Sequence, residues 1–224
     1  MCGRYSLGTP LDDLIEVFDV PPVDFDYRPR YNIAPTQEAP VVASDQRGMR
    51  MGLMRWGLVP FWATDIGVGS RMINARSETL LEKPAFKYAI DSRRCLVPAD
   101  GFYEWCARAE GKVPHLIHCQ GRPPMAFAGL WERWDGGKGD LLFTFTIVTT
   151  EASPVIAQIH DRMPVILEGE ARTSWLDRDM PGEEAVELLS PYEGDLTAYE
   201  VSRIVNSPAN DVPECQDPAQ GVSQ

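Results

Sequence analysis

Residues 94–149 contain five runs that decide the fold: Arg94-Cys95-Leu96-Val97, Phe102-Tyr103-Glu104-Trp105-Cys106-Ala107, His115-Leu116-Ile117-His118-Cys119, Met125-Ala126-Phe127-Ala128-Gly129-Leu130-Trp131 and Leu141-Leu142-Phe143-Thr144-Phe145-Thr146-Ile147-Val148-Thr149. Each has strand length and a high content of β-branched or aromatic residues, and glycine-bearing turns such as Asp135-Gly136-Gly137 separate them. Working outward, the same reading predicts strands at Ala39–Ala43, Arg50–Leu58, Pro164–Leu167 and Tyr199–Val205. Helices are fewer. Thr9-Pro10 opens an amphipathic helix with the stripe Leu11, Leu14, Ile15 and Phe18, and Asp12 and Asp13 suit its first turn. Short helices are expected around Lys83–Ile90, Ser153–Ile159, Glu170–Leu176 and Gly182–Leu189. Strands outnumber helices and do not alternate with them, which predicts an α+β domain with a mostly antiparallel, barrel-like β-sheet and short peripheral helices.

The chain has 224 residues, 44% hydrophobic and 24% charged. That composition excludes wholesale disorder, collagen-like repeats and coiled coil, and fits one domain, placed at residues 2–210. Beyond Asn210 the residues turn to Pro, Gln, Asp and Ser, and a frayed tail is expected over 211–224. Asp19–Gln37 reads as an ordered loop, and Phe61–Arg71, with Gly67 and Gly69, as a surface excursion presenting the aromatic pair Phe61-Trp62. No apolar run reaches the roughly 18 residues of a membrane helix and no basic-then-apolar leader opens the chain, so a cytoplasmic monomer without a membrane partner is expected. Five cysteines without paired spacing argue for reduced thiols. The net charge of -12 is concentrated in the second half: residues 1–112 hold 14 basic and 15 acidic side chains, residues 113–224 hold 7 and 18. A near-neutral first half can still assemble a basic groove, so the charge does not exclude a nucleic-acid partner.

Several residues can carry chemistry. If Met1 is trimmed, Cys2 presents an amine and a thiol on adjacent carbons, a 1,2-aminothiol that condenses with an aldehyde to an imine and closes to a thiazolidine. Its α-amino group titrates near ~7.7 to 8.0, so an appreciable fraction is nucleophilic at neutral pH. On its own, a Met-Cys start is commonplace. His160, in Ile159-His160-Asp161-Arg162-Met163-Pro164, lies at a helix-to-strand junction and suits general acid or base work, with Arg162 nearby for an anion. A capping role explains such a histidine equally well. Glu104 stands among aromatic residues that would desolvate it and raise its pKa, although a surface salt bridge is the commoner fate of a glutamate. Asn74 and Arg76 occupy alternate positions of Ile73-Asn74-Ala75-Arg76 and, if extended, face one side, suiting a sugar and its phosphate. Arg4, Asn32 and Pro35 would add polar and wedge contacts. His115 and Cys119 would face one side of a strand and His118 the other, with no C-x-x-C nearby, so no metal and no cofactor are assigned.

In order, Met1-Cys2-Gly3-Arg4-Tyr5, Arg30-Tyr31-Asn32-Ile33-Ala34-Pro35, Arg55-Trp56-Gly57-Leu58-Val59-Pro60, Ile73-Asn74-Ala75-Arg76-Ser77-Glu78-Thr79, Arg94 through Trp105, Ile159 through Pro164 and Val201-Ser202-Arg203-Ile204-Val205-Asn206 resemble the SOS response-associated peptidase (SRAP) family. Members of that family capture abasic sites in single-stranded DNA. The resemblance implies a catalytic set of Cys2, Asn74, Glu104 and His160. His160 would protonate the ring oxygen of the closed sugar, Glu104 would take a proton from the Cys2 ammonium, and Asn74 would orient the opened sugar. The product would be a stable thiazolidine DNA–protein crosslink, with β-elimination of the strand as a side activity and the peptidase label reflecting removal of Met1. The resemblance also implies DNA contacts from Arg4, Asn32, Pro35, Phe61, Trp62, Arg76, Thr149 and Arg162. Family members often carry two tryptophans where this chain has Phe61-Trp62. The expected partner is single-stranded DNA containing an abasic site, engaged at the nucleoid. Two other readings use the same residues: an amidase or peptidase whose Cys2 sulfur attacks an amide, and a single-strand binder without catalysis.

Overall fold

A computed structural model describes residues 2–119, 121, 124–136 and 141–219. Among the described residues, thirteen strands occur in the order β1 (Tyr5–Leu7), β2 (Arg30–Ile33), β3 (Glu38–Asp45), β4 (Gly48–Trp56), β5 (Asn74–Arg76), β6 (Arg94–Ala99), β7 (Gly101–Arg108), β8 (Gly111–Cys119), β9 (Met125–Asp135), β10 (Leu141–Glu151), β11 (Arg162–Pro164), β12 (Ile166–Leu167) and β13 (Leu196–Glu200). Short helices accompany them: α1 (Leu11–Val17), α2 (Ala89–Ser92), α3 (Pro154–Ala157), α4 (Glu170–Leu176) and α5 (Gly182–Ala185). The five runs quoted first are all strands, each extended by a few residues at one or both ends.

Strands β10, β4, β3, β6 and β9 pair in that order, and β9 pairs back onto β10, closing a five-stranded barrel. Closure removes the exposed edges of the sheet. The barrel is mixed, because β10 runs parallel to β4. A second, antiparallel sheet in the order β13-β8-β7-β1-β2 packs beside it. The fold is therefore α+β in one domain, as the strand-rich pattern predicts. Its core is aromatic: Trp56 lies fully buried, stacks on Phe145 with ring centroids 6.3 Å apart, and meets the edge of Tyr5 at 5.2 Å. The Trp56 indole N–H donates to the Ile73 carbonyl at 2.8 Å, so the ring is buried without orphaning its polar atom. Arg94 is buried too, and its guanidinium donates to the carbonyls of Trp175, Ile90, Asp177 and Met180, tying α4 to the barrel.

Four expectations are corrected. The segment Asp19–Gln37 is not wholly loop: Arg30–Ile33 form β2 against β1, and the Asp211 carboxylate accepts the backbone N–H of Tyr31 and Asn32 at its free edge. That contact also shows that residues 211–219 are not frayed. Arg30 pairs with Asp211, the Cys215 side chain is fully buried, and Val201 bridges Pro218. The end of the expected tail, 220–224, lies outside the described residues, as do Met1 and part of the Asp135-Gly136-Gly137 turn. The last strand spans Leu196–Glu200 and yields to a 3-10 turn at Arg203–Asn206, where the Ser202 side chain accepts the Ile204 N–H. The helix expected at Lys83–Ile90 is a series of turns before α2, its backbone N–H bonds alternating between three-residue steps (Phe86 to Lys83, Ala89 to Phe86) and four-residue steps (Lys87 to Lys83, Ile90 to Phe86).

One close approach sets the outer loop. Gly57 has φ +116°, and a Cβ placed there would lie 2.5 Å from the carbonyl oxygen of Gly69. A Cβ on Gly69 would meet the Gly57 carbonyl at the same distance. Two glycines thus let the Phe61–Arg71 excursion fold back across the end of β4 and deliver the chain into β5.

Candidate functional site

The site gathers at the C-terminal end of β10. There β5 adds in parallel, with Asn74 beside Ile147 and Arg76 beside Thr149, and β11 adds antiparallel, with Pro164 beside Thr149 and Arg162 beside Glu151. Ala75 is buried between Asn74 and Arg76, which share the opposite face as the period-two reading requires. From the second sheet, β1 pairs with β7 through Tyr5 and Phe102, and the Tyr103 N–H donates to the Arg4 carbonyl at 2.9 Å. This register runs the N-terminal residues alongside Glu104. His160 follows α3, with its backbone N–H on the Ile156 carbonyl.

The four residues expected to be catalytic meet here. The Asn74 amide donates to the Cys2 carbonyl at 2.8 Å, while its Oδ1 is buried with no partner among the described residues. Cys2 has no exposed surface. Burial, and next the negative charge of Glu104, push the Cys2 thiol well above its ordinary range. Glu104 is itself buried, which raises its carboxyl above the usual value, with the charge of His160 among the opposing influences. Glu104 therefore lies within electrostatic reach of both Cys2 and His160. The His160 Nδ1 accepts the Arg162 backbone N–H at 3.0 Å and lies 2.9 Å from an Asp161 carboxylate oxygen.

The residues expected to bind DNA divide into two groups. Asn32 and Thr149 are fully buried. The Asn32 Oδ1 accepts Arg4 Nη1 at 2.7 Å, and its Nδ2 donates to the carbonyls of Val205, Ser207 and Asn210. Arg4 Nη1 also reaches the Val205 carbonyl at 2.9 Å, and the guanidinium lies over Trp105 at 5.7 Å. Pro35 opens a turn closed by the Gln37 N–H on the Ala34 carbonyl, with Thr36 at φ 73°. The second group is open. Phe61 is 56% exposed and Trp62 52%, and Arg76 is exposed. Phe61 also borders an open groove of about 880 Å³, shared with Tyr88, Trp131 and Arg133, that includes none of the four catalytic candidates. Two residues escaped the sequence reading. Glu78 pairs with Arg162, and Cys106, two positions beyond Glu104 on the same face of β7, sends its thiol to the Gln158 carbonyl at 3.7 Å. Glu78 lay inside a quoted motif, but its partner is 84 residues away and only the fold reveals it.

A family model described as SOS response associated peptidase (SRAP) matches residues 1–208. The chain belongs to the SRAP family. The protein named abasic site processing protein YoqW of Bacillus subtilis is 44% identical over 219 residues, covering 96% of this chain and 98% of that protein. The abasic site processing protein HMCES of Gallus gallus is 37% identical, covering 87% of this chain and 67% of that longer protein. A crystal structure of a Bacteroides thetaiotaomicron protein superposes with a TM-score of 0.88 at 26% identity, over 97% of this chain and all of that one. This SRAP chain thus shares both the architecture and nearly the whole length of its bacterial relatives.

Proposed function

We propose that this protein processes abasic sites in single-stranded DNA by capturing the open-chain sugar aldehyde on the amine and thiol of Cys2, once Met1 has been removed. The observation that carries the reading is the junction at Cys2, where Asn74 holds the Cys2 carbonyl and the Glu104 carboxylate acts on the same residue. The names of the relatives supply the substrate class. His160 protonates the ring oxygen as the hemiacetal opens, and Glu104 takes a proton from the ammonium of Cys2. The amine adds to the aldehyde carbon and water leaves, giving the imine. The sulfur then adds to the imine carbon, its proton passing to the nitrogen, and the five-membered thiazolidine closes. The unpartnered Asn74 Oδ1 is the acceptor for a sugar hydroxyl.

The buried thiol supports amine-first chemistry. A cysteine peptidase attacks through a thiolate, which burial and a neighbouring carboxylate both disfavour here. An amine needs no such ionisation to form an imine. Removal of Met1 is the peptidase step, and β-elimination from the imine is a side reaction that cleaves the strand. On the DNA side, Arg76 and Arg162 hold phosphates and Phe61-Trp62 stack on bases, while Asn32 acts by orienting Arg4. The test is to mix the protein with a single-stranded oligonucleotide carrying one abasic site and run a heat-denatured gel. A slow-migrating, heat-stable band is expected, and its absence overturns the reading.

A further inference from the structure

The guanidinium of Arg162 is already engaged by an anion. Both of its terminal nitrogens reach the two carboxylate oxygens of Glu78, the second contact at 2.9 Å, and Nη2 also donates to the Thr149 carbonyl at 2.7 Å. The Arg162 side chain is 12% exposed, whereas Glu78 is 47% exposed on the 3-10 turn Ser77–Thr79 that follows β5. The pair holds Glu78 below the usual carboxylate range, first through the Arg162 hydrogen bonds and also through the charge of Arg76. Glu78 therefore sits in the notch between two arginines. A carboxylate presents two oxygens to a guanidinium fork in the same geometry as a phosphate.

We propose that Glu78 is a built-in competitor for the phosphodiester at the Arg76–Arg162 notch and so determines how strongly the protein holds undamaged strand. The inference rests on the DNA reading above. A phosphate that takes the fork of Arg162 must displace Glu78, because the two nitrogens cannot serve four anionic oxygens at full strength. The exchange trades one partly exposed ion pair for another and yields little net affinity, since such pairs are individually weak. Undamaged strands, which have only these reversible contacts, stay weakly bound. A strand with an aldehyde is retained by the covalent bond to Cys2, which the exchange does not touch. Specificity here comes from a repulsive element set against the common competitor. Glu78 can leave without unfolding the notch, because the Thr149 carbonyl still anchors Arg162.

The test is Glu78→Gln in the full chain, titrated against an undamaged oligothymidylate at a series of salt concentrations. Binding should tighten several-fold, and the log affinity against log salt should steepen by about 0.7, the increment for one more phosphate neutralised on a single strand. In an Arg162→Ala background the same substitution should give no gain. With excess undamaged strand present, Glu78→Gln should crosslink an abasic strand more slowly than the unsubstituted protein. Equal or weaker binding with an unchanged slope would make Glu78 a mere support for Arg162 and overturn the inference alone. No binding of any strand by either protein would overturn the DNA reading itself.

Discussion

Arg4 and Arg76 carry the same expectation from the sequence and end in opposite surroundings. Arg4 is bonded to Asn32 and the Val205 carbonyl and stacked on Trp105, so its guanidinium is part of the frame. Arg76 stands exposed at the edge of β5, with the charge of Glu78 close by. The contrast extends to whole regions. An inner region of Cys2, Asn32, Glu104 and Thr149 is buried, and an outer one of Phe61, Trp62 and Arg76 is open. A motif marks which residues matter, but packing decides whether a residue builds the site or touches the ligand.

If that division holds, the inner region should respond to substitution through chemistry and stability, and the outer one through binding. The largest effect is expected at Glu104 and His160. Replacing either by Ala should slow crosslinking by ~10² to 10⁴, the usual range for a lost general acid or base, with strand affinity nearly unchanged. Equal losses of rate and affinity would erase the distinction. Glu104 must be ionised to accept a proton and burial raises its pKa, so the acidic limb of the rate–pH profile should lie above the ordinary ~4.3 of a glutamate. Glu104→Gln should remove that limb. The same shift fixes the sign for stability: the Glu104 contribution is fully present below the ordinary carboxylate pKa and is lost as pH rises through the raised one.

Asn32→Ala comes next. It removes the charge-assisted bond from Arg4, worth about 1.5–3 kcal/mol, and the Nδ2 bonds to three carbonyls that each keep a second partner, so a urea melt should register a loss larger than the ~1 kcal/mol of a typical point substitution. Arg76→Ala should stay within ~0.5 kcal/mol in the same melt. Confined to binding are Phe61→Ala and Trp62→Ala. Each should weaken single-strand affinity by at most the ~1–3 kcal/mol of a base–aromatic stack, without moving the melt. A shift in the melt at either position would place the pair in the frame instead.

The sequence made the barrel legible because its long strands carry their own signal. In β10, Thr144 to Thr150 are all buried, and a run so continuously covered declares itself without help from its neighbours. Short strands do not. Three-residue β1 and β5 and four-residue β2 exist because longer partners, β7 and β10, or the Asp211 carboxylate, hold them. The composition of 211–219 looks like a tail, yet one carboxylate and one buried cysteine seat it against β2 and β13. In the site, residue types offered Cys2, Asn74, Glu104 and His160 only as separate candidates, the resemblance to the SRAP family joined them into one set, and the fold brings them together. Neither spacing nor type could reveal that Asn32 and Thr149 have no exposed surface, or that Glu78 occupies Arg162, since both depend on contacts far apart in the chain.

The central claim is that amine and thiol of one residue act on one aldehyde carbon, and the most direct measurement compares the mature chain, beginning at Cys2, with a chain carrying one extra residue ahead of it. Each is incubated with abasic single-stranded DNA, and the yield and heat stability of the adduct are followed over time. The extended protein keeps its thiol but holds the Cys2 nitrogen in an amide, so it should form no stable adduct. Cys2→Ala, which keeps the amine, should give only an imine that borohydride traps. If the extended protein crosslinked as fast and as stably as the mature one, thiazolidine formation at Cys2 would be contradicted even though the chain's membership of its family stood.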